Sequence, residues 1–364
     1  MDKKVLLIIG NGFDLKCGLD TKYIHYYNYQ KERSSSFKDL IDKLKRDETD
    51  SIDYNGLSKD EHITFFDLFF TMIDWNNNRL DSDHTWADIE DMLLGGFEIG
   101  QHNIDIFECC YRCYILTGDP NDFNYLSIYN KWYRIIAKYL YKKKKMVENG
   151  FHQYLIEELD RFSINFAKYI CEQIKAHPDY QEKAQNLIMK ITGVGLNECE
   201  ILSFNYTEPL SSPNLSSIHG LASKEKIVFG ITCGNKNKKE TAHSSWYYPM
   251  TKEYKIANIL AKGIKVSANY SGITDIYIYG SSLGKQDYDF YENLFDQFDF
   301  LMRSYPAKIH FCYSLYGDKT QDEIENDTTF KVTKLVNTIG DNHKQYGLLR
   351  TMIQNGHLDF RFIK

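Results

Sequence analysis

The sequence has little proline, no long apolar run and no excess of positive charge. Only 6 of the 364 residues are proline, so few helices are interrupted by a missing backbone donor. The net charge of −6 provides no overall positive field to attract nucleic acid. The apolar run 5–9 is too short for a signal-peptide core or a membrane span. These absences predict a cytoplasmic protein without a membrane partner, and they disfavour nucleic acid as a partner without excluding it.

The residue types that bind metals in proteins do not form clusters with the usual ligand spacing in this sequence. The eight cysteines include one Cys-x-x-Cys pair, Cys110 and Cys113, with no second pair and no adjacent histidine pair. In the segment Trp86–Glu90, the carboxylates Asp88 and Glu90 are two residues apart, so they do not share a helix face. We therefore expect buried thiols and no metal cofactor.

Apolar and aromatic residues, in contrast, are plentiful. Apolar residues make up 43% of the chain, and 28 Tyr and 22 Phe are present, which is enough to build a large core. From 61 to about 190 the apolar spacing is helical. A short helix is predicted near Phe37–Leu44, followed by an exposed loop over Asp47–Lys59.

Strand-like runs stand at both ends of the chain. The first covers Lys3–Ile9, and others cover Glu200–Phe204, Lys226–Ile231, Thr274–Tyr279 and Lys308–Tyr313. This order predicts an α/β fold, a Rossmann-like and mostly parallel sheet with a large helical insertion. The predicted nucleotide-binding core is 1–60 with 195–364, and the predicted helical insertion is 61–194.

The first candidate site follows the first strand, at Gly10, Asn11, Gly12 and Asp14. Glycines at the end of a strand allow the backbone to approach a diphosphate at the start of the next helix, for which Thr21 is the candidate N-cap. The third glycine of the usual dinucleotide fingerprint is missing. We assign Asp14 to a ribose hydroxyl, with a brace for the turn as the alternative.

The second candidate site lies after the next strands. Asn205 directly follows a strand, His219 precedes a glycine, and Gly230 ends a further strand-like run. An asparagine can hold a ribose or an amide through its donor and acceptor, and a histidine can move a proton near neutral pH. Ligands of open α/β sheets gather at the carboxyl ends of the strands, so these groups are expected to converge.

The third candidate site is Gly280, Ser281 and Ser282, with Asp287 shortly beyond. Small residues again permit close approach of the backbone, and the hydroxyls can bond to phosphate or ribose. Asp287 is expected either to bind ribose or to cap the next helix.

In their order along the chain, these motifs resemble the AbiH family of bacteriophage abortive infection proteins. The matching segments are Leu7–Asp14, Trp86–Glu90, Phe204–Thr207, His219–Gly220, Phe229–Ile231 and Tyr279–Asp287. One departure is Ser281, where the family often has histidine. The resemblance implies a phage-defence protein that responds to a phage-derived trigger, with a homo-oligomer among the options.

The arrangement is also similar to the sirtuin-like NAD-binding domains of other antiphage proteins. That similarity implies NAD or a related nucleotide as ligand or substrate, with Asn205 positioning a ribose or a water and His219 acting as base. The implied enzyme is an NAD(P) glycohydrolase or another nucleotide hydrolase. Two alternatives stay open, a nuclease acting on phage or host nucleic acid and a non-catalytic nucleotide sensor.

Overall fold

Both faces of the first strand are buried. In the computed structural model, which describes residues 4–76, 93, 131–143, 150–210, 212–231, 248–300 and 307–364, strand β1 spans Lys4–Ile9. The side chains from Val5 to Ile9 are 0% exposed, because a continuous apolar run places an aliphatic group on each face of the sheet in turn. The sequence prediction of a buried strand at the start of the chain is confirmed.

Six parallel strands form the main sheet. After β1 come β2 (Cys199–Ser203), β3 (Leu215–Ser217), β4 (Ile273–Tyr279), β5 (Lys308–Tyr313) and β6 (Leu358–Phe362). Their order across the sheet is β3-β2-β1-β4-β5-β6, and every neighbouring pair is parallel. This is the Rossmann strand order, in which the direction of winding reverses between the first and fourth strands. The predicted fold class is confirmed, and the reversal point lies between β1 and β4.

Helices make up most of the remaining described chain. In chain order they are α1 (Asn11–Lys16), α2 (Tyr23–Arg33), α3 (Ser35–Lys45), α4 (Tyr54–Lys59), α5 (Phe65–Asn76), α6 (Lys131–Lys143), α7 (Phe151–Ala176), α8 (Tyr180–Thr192), α9 (Lys252–Ala261), α10 (Tyr288–Gln297), α11 (Gln321–Asn342) and α12 (Leu348–Gln354). Short 3-10 turns span Thr49–Ser51, Leu196–Glu198, Ala222–Lys224, Tyr248–Met250 and Lys285–Asp287. Within the described ranges, no helix is both long and apolar enough to cross a membrane.

The chain divides into two compact units. The first contains 1–21, 170–224 and 258–364, and it includes the main sheet. The second contains 22–169 and 225–257. Residues 22–60, which the sequence analysis groups with the sheet, fall in the second unit of this division.

In the first unit, α8 supplies apolar side chains to the core on one face of the sheet. Val5, Leu7 and Ile9 alternate along β1 and belong to one buried cluster with Ala184 and Ile188 of α8. Each fully buried aliphatic side chain of this size stabilises the fold by roughly 1.5–3 kcal/mol. The core therefore fixes the strand from which the first candidate loop emerges.

In the second unit, aromatic side chains form the core. The ring of Phe70 lies 5.4 Å from that of Phe162, and the ring of Tyr26 lies 5.3 Å from that of Phe166, both edge to face. Phe229 also packs edge to face against Phe162, at 5.4 Å. Such pairs add roughly 0.5–1.5 kcal/mol beyond their buried area, so much of the aromatic content of this unit serves packing.

Some local predictions are wrong. The predicted loop over 47–59 contains helix α4, because Asp53 caps it through the amides of Asn55 and Gly56 and Leu57 is buried. The predicted strand 226–231 is reduced to Lys226–Ile227. Strands β3 and β6 were not predicted, since β3 has only three residues and β6 alternates apolar and charged residues instead of forming a continuous apolar run.

Candidate functional site

Most of the predicted site residues stand at the carboxyl ends of four adjacent strands. The segment 10–14 follows β1, Asn205 follows β2, His219 follows β3, and the segment 280–287 follows β4. Because these strands are parallel neighbours, their carboxyl ends meet at one edge of the sheet. That edge includes the reversal point, where Rossmann-like proteins bind their ligands.

The start of helix α1, directly after β1, is hydrogen-bonded to the end of β4 and to the loop that follows it. The N–H of Gly10 donates to the Tyr279 carbonyl at 3.0 Å, and the N–H of Gly12 donates to the Gly280 carbonyl at 2.8 Å. The N–H of Phe13 donates back to the Gly10 carbonyl at 2.8 Å. These three donors are therefore already used within the protein, and a diphosphate must find other hydrogen-bond donors.

The glycines of both loops are explained by this close packing. A Cβ added at Gly10 would lie 2.6 Å from the Ser281 Cα, and one added at Gly12 would lie 2.8 Å from the Gly280 Cα. Gly280 has a positive φ of +70°, and a Cβ there would overlap the Phe13 nitrogen. Any side chain at these positions would force the two loops apart.

Asn11, the first residue of α1, holds the end of the segment that connects α1 to α2. Its Oδ1 accepts a 2.5 Å hydrogen bond from the Thr21 hydroxyl. The prediction that Thr21 is the N-cap of the following helix is wrong. Helix α2 begins at Tyr23, and Lys22 occupies the N-cap position without a side-chain hydrogen bond. The Thr21 hydroxyl instead anchors the glycine-rich turn through Asn11.

Asp14 lies inside the protein, where it ties three chain segments together. It is 1% exposed, and its carboxylate accepts hydrogen bonds from the Tyr180 hydroxyl at 2.7 Å and from the Thr207 hydroxyl at 2.9 Å. Burial raises the pKa of Asp14 to about 6, although the hydrogen bonds from Tyr180 and Thr207, and the nearby carboxamide of Asn205, oppose the rise. Asp14 thus braces helix α1 against the loop after β2.

We expect Asp14→Asn to change how stability depends on pH. The pKa of Asp14 rises from 3.8 in the unfolded chain to about 6, so the folded state binds the proton more tightly. Its contribution to stability is full below pH 3.8 and is lost as the pH rises through about 6. The whole shift corresponds to at most about 3 kcal/mol. Urea denaturation between about pH 4 and about pH 7 should show this loss in the wild type and not in the variant; equal slopes would contradict the assignment.

Asn205 is the least satisfied polar side chain of the site. It is 3% exposed, and its backbone N–H donates to the Ser203 hydroxyl at 3.0 Å. Its carboxamide lowers the pKa of Asp14, yet neither Oδ1 nor Nδ2 has a hydrogen-bond partner of good geometry in the described part of the chain. An unsatisfied buried polar atom costs about 1–3 kcal/mol, and a ligand that paired with the Asn205 carboxamide would remove that cost.

His219 lies between aromatic rings with a carboxylate near its outer nitrogen. Its ring packs edge to face on Phe204 at 5.3 Å and stacks on Tyr206 at 6.1 Å. Its Nε2 lies 3.9 Å from the Asp287 Oδ1, and the two side chains are only 10% and 15% exposed. The rings hold the imidazole in place, with the Asp287 carboxylate on its Nε2 side.

Asp287 occupies the N-cap position of α10 but does not cap the helix. Its side chain makes no capping hydrogen bond to the first turn. Of the two roles open to it from the sequence, capping is therefore not observed. Its side chain lies beside His219 instead. Nothing in the sequence indicated this pairing, because residues 219 and 287 are far apart along the chain.

The two serines after β4 shape their own turn. The Ser281 hydroxyl accepts hydrogen bonds from the Leu283 amide at 3.2 Å and from the Tyr291 hydroxyl at 2.8 Å. The Ser282 hydroxyl accepts from the Gly284 amide at 3.2 Å. Leu283 has a positive φ of 51°, so these side chains support a strained turn that carries Asp287 toward His219.

The other predicted residues lie elsewhere. Gly230 belongs to the second unit, where a Cβ would lie 2.8 Å from the Lys252 nitrogen, so a glycine is required there for packing. The segment Trp86–Glu90 lies outside the described residues. Among the residues that are described, no group of three or more His, Cys, Asp or Glu side chains could hold a metal ion.

Strand order and loop placement define this chain as a Rossmann-like α/β protein. A model of the family described as "Bacteriophage abortive infection AbiH" matches residues 6–305, which is most of the chain. The chain therefore belongs to the AbiH family of bacteriophage abortive infection proteins, and the resemblance seen in the sequence is confirmed. The family supports a role in defence against phage by abortive infection. Comparisons with curated proteins and with solved structures found no match.

Proposed function

We propose that this protein binds NAD or a related nucleotide at the carboxyl edge of its sheet and hydrolyses it during phage defence. The observation that carries the proposal is the pairing of His219 with Asp287, 3.9 Å apart, beside the unsatisfied carboxamide of Asn205. These groups follow strands β3, β2 and β4, at the edge of the sheet where nucleotides bind in Rossmann-like proteins.

The proposed reaction is hydrolysis of the N-glycosidic bond of NAD. Water attacks C1′ of the ribose, the bond to nicotinamide breaks, and nicotinamide leaves with the electron pair. His219 accepts the proton of the water, and Asp287 stabilises the resulting imidazolium. Asn205 holds the ribose or the water through its donor and acceptor. This chemistry depends on positioning and charge stabilisation, which the residues present can supply without a metal.

The remaining predicted residues fall into two groups, glycines required for packing and residues whose contacts with the nucleotide stay predictions. Gly10, Gly12 and Gly280 set the close packing of the loops, because their contacts leave no room for a Cβ. Contacts of Asn11, Asp14, Gly230, Ser281 and Ser282 with the nucleotide stay predictions. The backbone amides of 10, 12 and 13 are occupied, so we place the ribose, rather than the diphosphate, nearest to them.

The proposal includes a cytoplasmic protein that acts after a phage-derived trigger and that forms a homo-oligomer. The direct test is to incubate purified full-length protein with NAD, NADP and ATP, with and without lysate from phage-infected cells, and to separate the products. Release of nicotinamide and ADP-ribose supports the hydrolase. Intact nucleotides in every sample, together with a ligand-dependent rise in melting temperature, indicate a sensor instead. Cleavage of added nucleic acid that stops with EDTA indicates a nuclease.

A further inference from the structure

The last strand forms an edge of the main sheet. Strand β6 is paired with β5 on one side, and within the described ranges no strand pairs with its other side. The register with β5 runs without a shift from Ile309 opposite Leu358 to Tyr313 opposite Phe362. The strand contains neither proline nor a bulge, two of the devices that keep an edge from pairing with another chain.

The hydrogen bonds to β5 show which backbone groups of β6 point outward. The His357 carbonyl accepts from the Ile309 amide, and the Ile363 amide donates to the Tyr313 carbonyl, both at 2.8 Å. In a parallel ladder, residues bond alternately to one side and to the other. Odd-numbered residues therefore bond inward, and the amides and carbonyls of Leu358, Phe360 and Phe362 point away from the sheet.

Two side chains of opposite charge flank the middle of this edge. The Asp359 Oδ2 accepts from the Arg361 Nε at 3.1 Å and lies 3.0 Å from the His310 Nδ1. Arg361 also donates to the Tyr277 hydroxyl at 3.1 Å. These contacts hold both charges in place on one face of the sheet, while the Asp359 and Arg361 side chains remain 33% and 40% exposed.

We propose that β6 pairs in antiparallel fashion with β6 of a second copy of this chain, with the two-fold axis at Phe360. In that register the outward groups of Phe360 bond to those of its own copy, and Leu358 bonds with Phe362 of the second copy. Asp359 then stands opposite Arg361 of the second copy on each side of the axis. Opposite charges at such directly facing positions stabilise a strand pair.

The charges select this register over its neighbours. Antiparallel pairing must match outward groups with outward groups, so the register can shift only in steps of two residues. One step in one direction places Asp359 opposite itself, and one step in the other places Arg361 opposite itself. Both arrangements oppose like charges, which destabilises the pair. The interface is self-complementary, as a two-fold dimer requires.

The opposite face of β6 is apolar, and its aromatic side chains would also be in contact across the dimer. The ring of Phe360 lies 6.1 Å from that of Phe311, and the ring of Phe362 lies 5.7 Å from that of Tyr313. In the dimer, Phe360 would meet its own copy as the next ring of this row. The two sheets would then be continuous, and an antiparallel junction between parallel sheets is a common arrangement.

Sedimentation and cysteine cross-linking of the full chain test this proposal. The wild type is expected to sediment as a dimer. Phe360→Cys should form a disulfide-linked dimer under mild oxidation, because directly opposed strand residues have Cα atoms about 5.5 Å apart. Asp359→Cys and Arg361→Cys are the matched controls, since in this register each lies about 7–8 Å from its own copy. A wild-type monomer, or stronger cross-linking at 359 or 361 than at 360, would overturn the proposal.

A proline variant tests the hydrogen bonding separately. Phe360→Pro removes an outward amide and leaves the ladder to β5 intact, so it should convert the dimer to a monomer with an unchanged far-ultraviolet circular dichroism spectrum. A folded variant that remains dimeric would overturn the proposal. If the proline variant does not fold, the three cysteine variants still decide the outcome.

Discussion

Gly280→Ala is expected to reduce the free energy of unfolding by about 2–5 kcal/mol. The estimate combines about 1–2 kcal/mol for a side chain at positive φ with about 1–3 kcal/mol for overpacking. Both terms apply because Gly280 has φ +70° and its added Cβ would overlap the Phe13 nitrogen and lie 2.8 Å from the Gly12 carbonyl carbon. Urea denaturation at fixed pH measures the loss.

Gly263→Ala is the matched control for this prediction. Gly263 also has a positive φ, +78°, but an added Cβ would meet nothing within 4 Å. The control should therefore lose only the conformational part, about 1–2 kcal/mol. Equal losses in the two variants would show that the loops after β1 and β4 do not pack as described.

His219→Gln is expected to reduce the kcat of the proposed NAD hydrolysis by about 10²- to 10⁴-fold, the usual contribution of a positioned general base. Glutamine keeps a polar group between the rings of Phe204 and Tyr206 but cannot accept a proton near neutral pH. The KM should change much less than kcat, because the substituted group acts on the attacking water. Steady-state kinetics and phage plaque counts with the same variant measure the effect.

The chain offers a matched histidine for this experiment. The Nε2 of His343 lies 2.7 Å from the Glu292 Oε1, so it also stands beside a carboxylate in the first unit, but it follows helix α11 rather than a strand of the sheet. His343→Gln should keep wild-type turnover. Equal losses in the two variants would assign the effect of His219→Gln to stability and would contradict the proposed role of His219 as base.

The sequence predicted the sheet well where strands are buried on both faces. Strand β5 has the predicted bounds, and β1, β2 and β4 differ from the predicted bounds by about one residue. These strands are read easily because a buried parallel strand requires a nearly continuous apolar run. Edge strand β6 instead alternates apolar and charged residues over five positions, the pattern of a half-buried strand, so a search for continuous apolar runs does not find it.

The candidate site was predictable as a set of positions but not as a set of contacts. Placing Asn205 at the carboxyl edge of the sheet needed only parallel strands and their order along the chain, whereas His219 follows β3, a three-residue strand that the sequence did not predict. The bond from Tyr180 to Asp14 joins residues that are 166 positions apart, and a tyrosine at the start of a helix carries no local signal of such a bond.

The glycine-rich turn shows a second limit. Glycines after a strand suggest room for a phosphate, but the space beside Gly10 and Gly12 is filled by the backbone of the loop after β4. A glycine in a sequence can indicate that there is no room for a Cβ, but it does not show which atoms fill that space. Only the register of β1 with β4 shows that the loop after β4 is the neighbour.

The most direct test of the nucleotide site is to compare wild type with Asn205→Leu by calorimetric titration with NAD and by denaturation without ligand. The account predicts that leucine, similar in size and without polar atoms, raises the free energy of unfolding by about 1–2 kcal/mol while NAD binding falls below detection. Such opposite effects on stability and binding are expected of an asparagine kept for a ligand. Unchanged NAD binding in the variant, or no NAD binding by the wild type, would contradict the account.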